Sequence, residues 1–325
     1  MASQYKDKTL VEILQEELKG NKARMTLLSY LVVSLLQVRS VNFKRLATGY
    51  HNGVQLSSKL RRIQRFFRQF AFSDHLYCQL IIKMLPIKGK YALSMDRTNW
   101  RLGQLNINLL FLSVIYKGVG LPIFWCVLGD KRGNSSQEER IVLLNRFMDC
   151  FGKDKIEYLT ADREFIGQDW LAFLTGHQVR FIIRVRNNMH LTFTDGKTVK
   201  AHWLLLAQPL NQVYFHPRIV YLNDTLVYFS GLKYLNRDGK IDYLILVSYK
   251  QDHLSMGLYK NRWQIETMFR AFKSAGFNLE ATHVNDDQRL NTLIRVLVIA
   301  FIWSYNIGIY LHENIKQITI KKHGR

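Results

Sequence analysis

The chain of 325 residues carries 46 Lys and Arg against 25 Asp and Glu, a formal charge of +21, and 48% of its residues are hydrophobic. That is enough for one large domain or two modest ones with a filled core. So large a positive excess is out of keeping with an enzyme of small metabolites; its natural counter-charge is nucleic acid or an anionic membrane.

The excess is concentrated at the start, where residues 1–90 hold 16 Lys and Arg but only 5 Asp and Glu. A dedicated binding module is expected there. Residues 1–88 read as helical, with periodic apolar positions and no proline before Pro86. The stretch "SVNFKRLATGYHNGVQLSSKLRRIQRFFRQF" reads as two helices joined by a glycine-containing turn, with Ser57 or Ser58 capping the second. In that second helix Leu60, Ile63, Phe67 and Phe70 make an apolar stripe, while Arg61, Arg65 and Arg68 align on another face with Arg62 close by. Two readings fit a basic row of this kind: a solvated face, or a helix laid against DNA as in a helix-turn-helix. The charge of the module favours DNA, with Arg61, Arg62 and Arg65 as the contacts.

From residue 89 the pattern turns to β. "YALSM" runs up to Asp96, "INLLFLSVIY" and "LPIFWCVL" follow, and all are rich in apolar and aromatic residues. "SSQEERIVLLNRFMDCF" reads as a helix with a serine cap and early acids. A short strand, "IEYLTA", ends at Asp162; a helix around Trp170–Leu174 and the strand "VRFIIRV" come next. Strands first in a meander and then alternating with helices predict an α/β domain, a mixed sheet with flanking helices, over 89–188. Residues 189–252 alternate polar and apolar, with hairpin turns at Asp195-Gly196 and Asp238-Gly239, and read as an antiparallel β insertion. Residues 253–325 return to helix.

Cys78, Cys126 and Cys150 are odd in number and widely spaced, so neither a disulfide framework nor a zinc site is expected, and the compartment reads as reducing. No secretory leader is expected, since the first apolar run begins only at Met25. Leu293–Leu311 is long enough to span a bilayer, but Arg295 and Asn306 interrupt it. A buried C-terminal helix is the better reading.

Chemistry enters with "YKNRWQIETMFRAFK". At about 100° per residue, Tyr259, Arg262, Glu266 and Lys273 fall within about 60° of one another on one helix face. An apolar arc of Leu258, Ile265, Met268, Phe269 and Phe272 borders them. The plain reading is an amphipathic helix with an Arg262–Glu266 pair worth a few tenths of a kcal/mol. Asp96 and Asp162, both at strand ends, could equally be turn caps. Taken together, however, two strand-end aspartates and a helical glutamate can converge as hard oxygen ligands for cations such as Mg²⁺. A metal pair so held can serve in-line phosphoryl transfer. Arg262, Tyr259 and Lys273, on the stripe of Glu266, would then grip the neighbouring phosphates.

Tyr259, two residues, Arg262, three, Glu266, six, Lys273: this spacing resembles the Y-R-E-K signature of bacterial insertion-sequence DDE transposases of the IS-four type. "SMDRTNW" and "TADREFIG" resemble that family's blocks around its two catalytic aspartates, and "GNSSQEER" and "GFNLEATH" look like further family segments. The resemblance covers roughly residues 40–325. It implies an RNase H-like core with a β-rich insertion, which agrees with the separate reading of 189–252. It also implies Mg²⁺-dependent cutting at terminal inverted repeats, with Mn²⁺ able to substitute. The freed 3′-hydroxyl would form a hairpin that is opened before strand transfer into target DNA.

Carried onto this chain, Asp96, Asp162 and Glu266 are the catalytic metal ligands, and Tyr259, Arg262 and Lys273 hold DNA. Trp263 either stacks on an unstacked base or packs in the core. Arg97 and Asn99 would order Asp96 or a phosphate, and Glu164 either reaches the metals or serves as a cap or salt-bridge residue. The partners implied are the inverted-repeat ends and target duplex, a second copy in the synaptic complex, and no membrane; the place is a bacterial cytoplasm, at the nucleoid. Competing readings are a non-cutting DNA-binding regulator derived from a transposase, and a structure-selective nuclease on the same core.

Overall fold

The computed structural model describes residues 9–318 apart from 86, 103, 130–132 and 274–275. Five helices lead the chain: α1 (Leu10–Leu18), α2 (Lys22–Val38), α3 (Phe43–Thr48), α4 (Leu56–Gln69) and α5 (Asp74–Met84). Strands β1 (Tyr91–Leu102), β2 (Leu105–Tyr116) and β3 (Val119–Val127) follow, then α6 (Gln137–Phe151), β4 (Ile156–Ala161), α7 (Gln168–Gly176) and β5 (Phe181–Val185). Six strands come next: β6 (His190–Thr192), β7 (Thr198–Lys200), β8 (Tyr214–Phe215), β9 (Val220–Leu222), β10 (Thr225–Leu235) and β11 (Ile241–Ser248). The chain closes with α8 (Ser255–Lys260), α9 (Gln264–Phe272) and α10 (Asp287–Asn314). It divides into two compact units: residues 1–88, 101–105 and 270–325 form a helical unit, and 89–100 with 106–269 form a sheet unit.

In the helical unit, caps set the helix starts. Thr9 and Glu12 close a capping box on α1, and Asn21, Asn42 and Ser73 each accept a backbone N–H at the head of α2, α3 and α5. The head of α4 differs from the sequence expectation. The helix begins two or three residues earlier than a Ser57 or Ser58 cap would place it, with Gln55 as N-cap and no side-chain cap bond. Phe43 stacks on Phe67 with centroids 4.8 Å apart, fixing α3 against α4. α10 packs on α2, α4 and α5. Its run from Leu293 to Ile302 is almost wholly buried, the exception being Arg295. The polar interruptions in α10 have partners: Arg295 donates to the Phe72 carbonyl at 3.1 Å and pairs with Asp74, and Asn306 donates to the Met84 carbonyl at 2.8 Å. α10 is the one helix among the described residues long and apolar enough to cross a membrane, and over half of its most apolar stretch is buried within the protein.

The sheet unit is built on one mixed sheet ordered β3-β2-β1-β4-β5-β11-β10-β9-β6-β7, with β8 on β10. β1–β4 and β4–β5 are parallel; β2–β3, β5–β11 and β10–β11 are antiparallel. Parallel neighbours need crossovers, and α7 supplies the one between β4 and β5. α6 starts in a capping box of Ser136 and Glu139. β2 is buried on both faces from Asn106 to Ile115, which explains why it reads as a continuous apolar run rather than an alternation. The tight turns before β7 and β11 use Gly196 at φ 85° and Gly239 at φ 72°.

α9 lies on β2 and β3. Ser113 donates to the Met268 sulfur at 3.4 Å, Phe269 meets Phe111 at 5.8 Å, and Gly120 faces the Ile265 backbone so closely that a Cβ there would sit 2.9 Å from the Ile265 Cα. The residues from Tyr259 to Lys273 are not one helix, as their periodicity suggested. α8 and α9 are joined by a 3₁₀ turn over Asn261–Trp263, and Lys273 lies just beyond α9. With three residues per turn, the 3₁₀ geometry brings Arg262 over Tyr259, its guanidinium 5.8 Å from the ring centroid.

Candidate active site

Two adjacent parallel strands carry the aspartates. Met95 of β1 is paired with Ala161 of β4, so Asp96 and Asp162 occupy the next positions side by side. β1 does not stop at Asp96 as the sequence suggested; it continues to Leu102, and only β4 ends before its aspartate.

α8 and the 3₁₀ turn bring the other groups to this place. The ring of Tyr259 is buried with Met256 against Ile182 of β5 and Leu246 of β11. Its hydroxyl donates to Asp162 Oδ1 at 3.3 Å. Arg262, only 11% exposed at its side chain, donates from Nη1 to Asp96 Oδ2 at 2.9 Å and from Nη2 to Glu266 Oε1 at 3.1 Å. One guanidinium thus joins a strand carboxylate to a helix carboxylate 170 positions away, and Tyr259 beside it holds the third acid. The fork of an arginine suits such a bridge, which a lysine could not span in the same way.

Burial sets the electrostatics. Burial pushes the Asp96 carboxyl up to about 6, against the pull of Arg262 and of the Arg97 N–H at 2.8 Å, with Glu164 and Asp162 adding to the rise. Burial also raises the Tyr259 phenol well above its ordinary value, keeping it a neutral donor. Arg262 is pulled down by burial but more than compensated by Tyr259, Asp96, Asp162 and Glu266, so it stays charged.

A second layer fixes the aspartate segments. Arg97 holds Glu164 through two bonds of 3.2 Å each and Asn108 through one of 3.3 Å. Arg140 of α6, 3% exposed, donates to the Ser135 hydroxyl at 2.9 Å, the Ser135 carbonyl at 2.6 Å and the Glu164 carbonyl at 3.1 Å. Glu164 is therefore a salt-bridge residue. Sequence reasoning did not single out Asn108 or Arg140; the only signal was the segment "GNSSQEER", which contains Ser135 and Arg140.

The donor set fits divalent cations: three carboxylates supply hard oxygens, and a cation would favour the charged form of buried Asp96. Among the described residues no group of three or more His, Cys, Asp or Glu is placed so that it could hold a metal ion. Arg262 stands between Asp96 and Glu266, bonded to both.

The remaining expected residues lie elsewhere. Trp263 is 60% exposed rather than packed in a core. Asn99 is exposed on β1. Lys273 belongs to the helical unit, where it pairs with Glu280 at 3.6 Å. Arg61 and Arg65 share one face of α4 and line one groove, but Arg62 does not join them. It turns to α2 and donates to the Ala23 carbonyl at 3.4 Å. Arg62 lies about 100° round the helix from Arg61, and with Arg65 it lines a second pocket beside α2.

Residues 88–303 match the protein family described as "Transposase DDE domain". Among solved structures the chain is similar to piggyBac transposase, seen by cryo-EM in its synaptic complex with hairpin DNA, with a TM-score of 0.50 and 10% identity over 92% of this chain and 72% of that one. At that identity the likeness shows the fold alone. The NurA nuclease of Sulfolobus solfataricus aligns with a TM-score of 0.27 and 10% identity over 82% of this chain and 97% of that one, too slight a likeness to carry an argument. No curated protein matches the sequence significantly.

Proposed function

This chain belongs to the DDE transposase family, and we propose that it is an insertion-sequence transposase of the IS-four type which cuts DNA at terminal inverted repeats and joins the freed 3′-hydroxyls to target DNA. The observation that carries the reading is the convergence of Asp96, Asp162 and Glu266 on one place through Arg262 and Tyr259.

In this reading the sheet of the second unit is an RNase H-like core, with β6–β11 as its insertion. Asp96, Asp162 and Glu266 would hold the divalent cations that DDE transposases generally use, in this reading Mg²⁺ with Mn²⁺ able to substitute. When bound, such ions lower the pKa of the attacking hydroxyl or water and neutralise charge on the leaving oxygen. The chain's own residues do the rest. Arg262, freed from the carboxylates, offers its fork to a DNA phosphate. Tyr259 stays protonated and donates a hydrogen bond, and Arg97 with Glu164 keeps the Asp96 and Asp162 segments in register. Exposed Trp263 offers a face on which an unstacked base at the cut end can lie.

In the first step water forms a new bond to phosphorus as the bond to the 3′ oxygen breaks, leaving a 3′-hydroxyl. That hydroxyl then attacks a phosphorus of the opposite strand, displacing the 3′ oxygen of the flanking DNA and closing a hairpin. Water attacks the hairpin phosphorus and displaces the 3′ oxygen again. The regenerated hydroxyl attacks a target phosphorus, displacing a 3′ oxygen of the target strand. The helical unit holds DNA, two copies pair the two ends, and the place of action is a bacterial nucleoid.

The test is a strand-transfer reaction on a pre-nicked end bearing a free 3′-hydroxyl, with a supercoiled plasmid as target. Joined products are expected from the wild type, and none from Glu266→Gln, which should still bind DNA. Hydrolysis without joining would make the chain a nuclease, and joining by Glu266→Gln would remove Glu266 from the site.

A further inference from the structure

A groove of about 690 Å³ opens within the helical unit between α3, α4 and the segment 283–289 that leads into α10. Five cations line it: Lys44, Arg61, Arg65, Arg68 and Arg289. No aspartate or glutamate is among its lining residues. Arg61, Arg65 and Arg68 recur at the fourth and third positions along α4, so they form one exposed row over about 10 Å of helix. The opposite face of α4 buries Ile63, Phe66 and Phe67, which fixes the direction of the row. Among the described residues no ion pair engages Lys44, Arg61, Arg65 or Arg68; Arg289 reaches Asp286 only at 3.9 Å. The floor is apolar, with Val41 and Val284 buried and Leu60 partly so. The amides Gln64 and Asn285, both exposed, also line the groove.

Resting on the transposase reading above, we propose that this groove grips the sugar–phosphate backbone of one DNA strand, and that the segment His283–Arg289, from the far end of the chain, is a wall of that site. A solvated basic face needs no such wall. Here residues more than 200 positions apart close on a common channel whose lining charges are of one sign, and among the described residues four of the five cations are in no ion pair. A row of cations over an apolar floor suits an alternation of phosphate and sugar, with the amides left to base edges or sugar oxygens. The segment "GFNLEATH", which has no part in the catalytic constellation, gains a role: it delivers His283, Val284 and Asn285 to the groove. Lys44, Arg68 and Arg289 join Arg61 and Arg65 as DNA contacts, and Arg62 leaves the set.

The experiment measures fluorescence anisotropy of a labelled 30-bp duplex with the full chain bearing Glu266→Gln, in EDTA, between 50 and 200 mM salt. Cutting does not enter the readout, so failure here is separable from failure of the proposed reaction. Each lost phosphate contact reduces the slope of log K against log salt by about 0.9, so Arg289→Gln should make the fourfold salt change about 3.5-fold less damaging to affinity. Arg61→Gln, Arg65→Gln and Arg68→Gln together should make it about 40-fold less damaging. Arg62→Gln should leave the slope unchanged, and each variant's melting temperature checks that it is folded. An unchanged slope for folded Arg289→Gln removes the 283–289 wall from the site. An unchanged slope for the triple variant overturns the site altogether. Equal competition by poly-aspartate at matched charge would make the groove a generic anion surface rather than a nucleic-acid site.

Discussion

Replacing Arg262 with glutamine should cost little stability at pH 5 and several kcal/mol at pH 8. The reason lies in Asp96. Its side chain is 17% exposed and its carboxyl is held near 6 rather than 3.8 even with Arg262 bonded to it. That shift of about 2 units means burial of the charged form already costs about 3 kcal/mol, at 1.36 kcal/mol per unit. For a carboxyl whose folded pKa is raised, the sign is fixed. Its contribution favours folding below the unfolded pKa of about 3.9 and is lost as pH climbs through about 6. Without Arg262 the charged form loses its closest partner. At pH 8 the variant must bury an unpaired carboxylate or take up a proton, a penalty of about 3–5 kcal/mol. At pH 5 Asp96 is largely protonated in both proteins, and what remains is the partly exposed pair with Glu266, about 1 kcal/mol or less. Urea unfolding of wild type, Arg262→Gln, Asp96→Asn and the double variant at both pH values measures this. In the Asp96→Asn background the pH dependence should vanish. A loss equal at pH 5 and pH 8, or undiminished in that background, would refute the bridge.

Two further outcomes follow from the same geometry. Arg97→Ala should destabilise by about 1–3 kcal/mol, leaving Glu164 partly buried without its two bonds, and a double-mutant cycle with Glu164→Gln should show coupling of about 0.5–3 kcal/mol. Additive losses would show that the two side chains act independently. Gly120→Ala should push α9 off β3, because the added Cβ meets Ile265 backbone at 2.9 Å. The cost is about 1–3 kcal/mol, and DNA cutting should slow because Glu266 is the next residue. Full activity with unchanged stability would mean that the close approach does not position Glu266.

Much of the site was legible because the local rules that place it are strong. Asp162 follows the short apolar strand β4, which ends where its apolar run ends, while Asp96 comes after an apolar run but lies inside β1. Glu266 sits among apolar residues at helical spacing, and those residues do lie on the sheet through Met268 and Phe269. What the sequence withheld depends on tertiary register. Nothing local says that Arg262 will reach Asp96, 166 positions away, or that Arg140 will anchor the Glu164 backbone. The 3₁₀ turn at Asn261–Trp263 is likewise invisible to a 100° wheel, since no proline or glycine marks it. Arg61 and Arg62 looked alike as neighbours in a basic run, yet helix geometry sends them to different faces. The apolar run in α10 read as core or membrane on composition alone, and only the bonds of Arg295 and Asn306 to carbonyls at either end of α5 explain its polar breaks.

The most direct measurement is the fate of a labelled DNA end carrying the element's terminal repeat, incubated with the full chain in Mg²⁺ or in EDTA, for wild type and Asp162→Ala. Nicking that proceeds to a hairpin in Mg²⁺, stops in EDTA and is absent from the variant is the expected result. Tight binding of that end with no cutting in any divalent metal would contradict the account, and would leave a DNA-binding protein whose three gathered carboxylates do no chemistry.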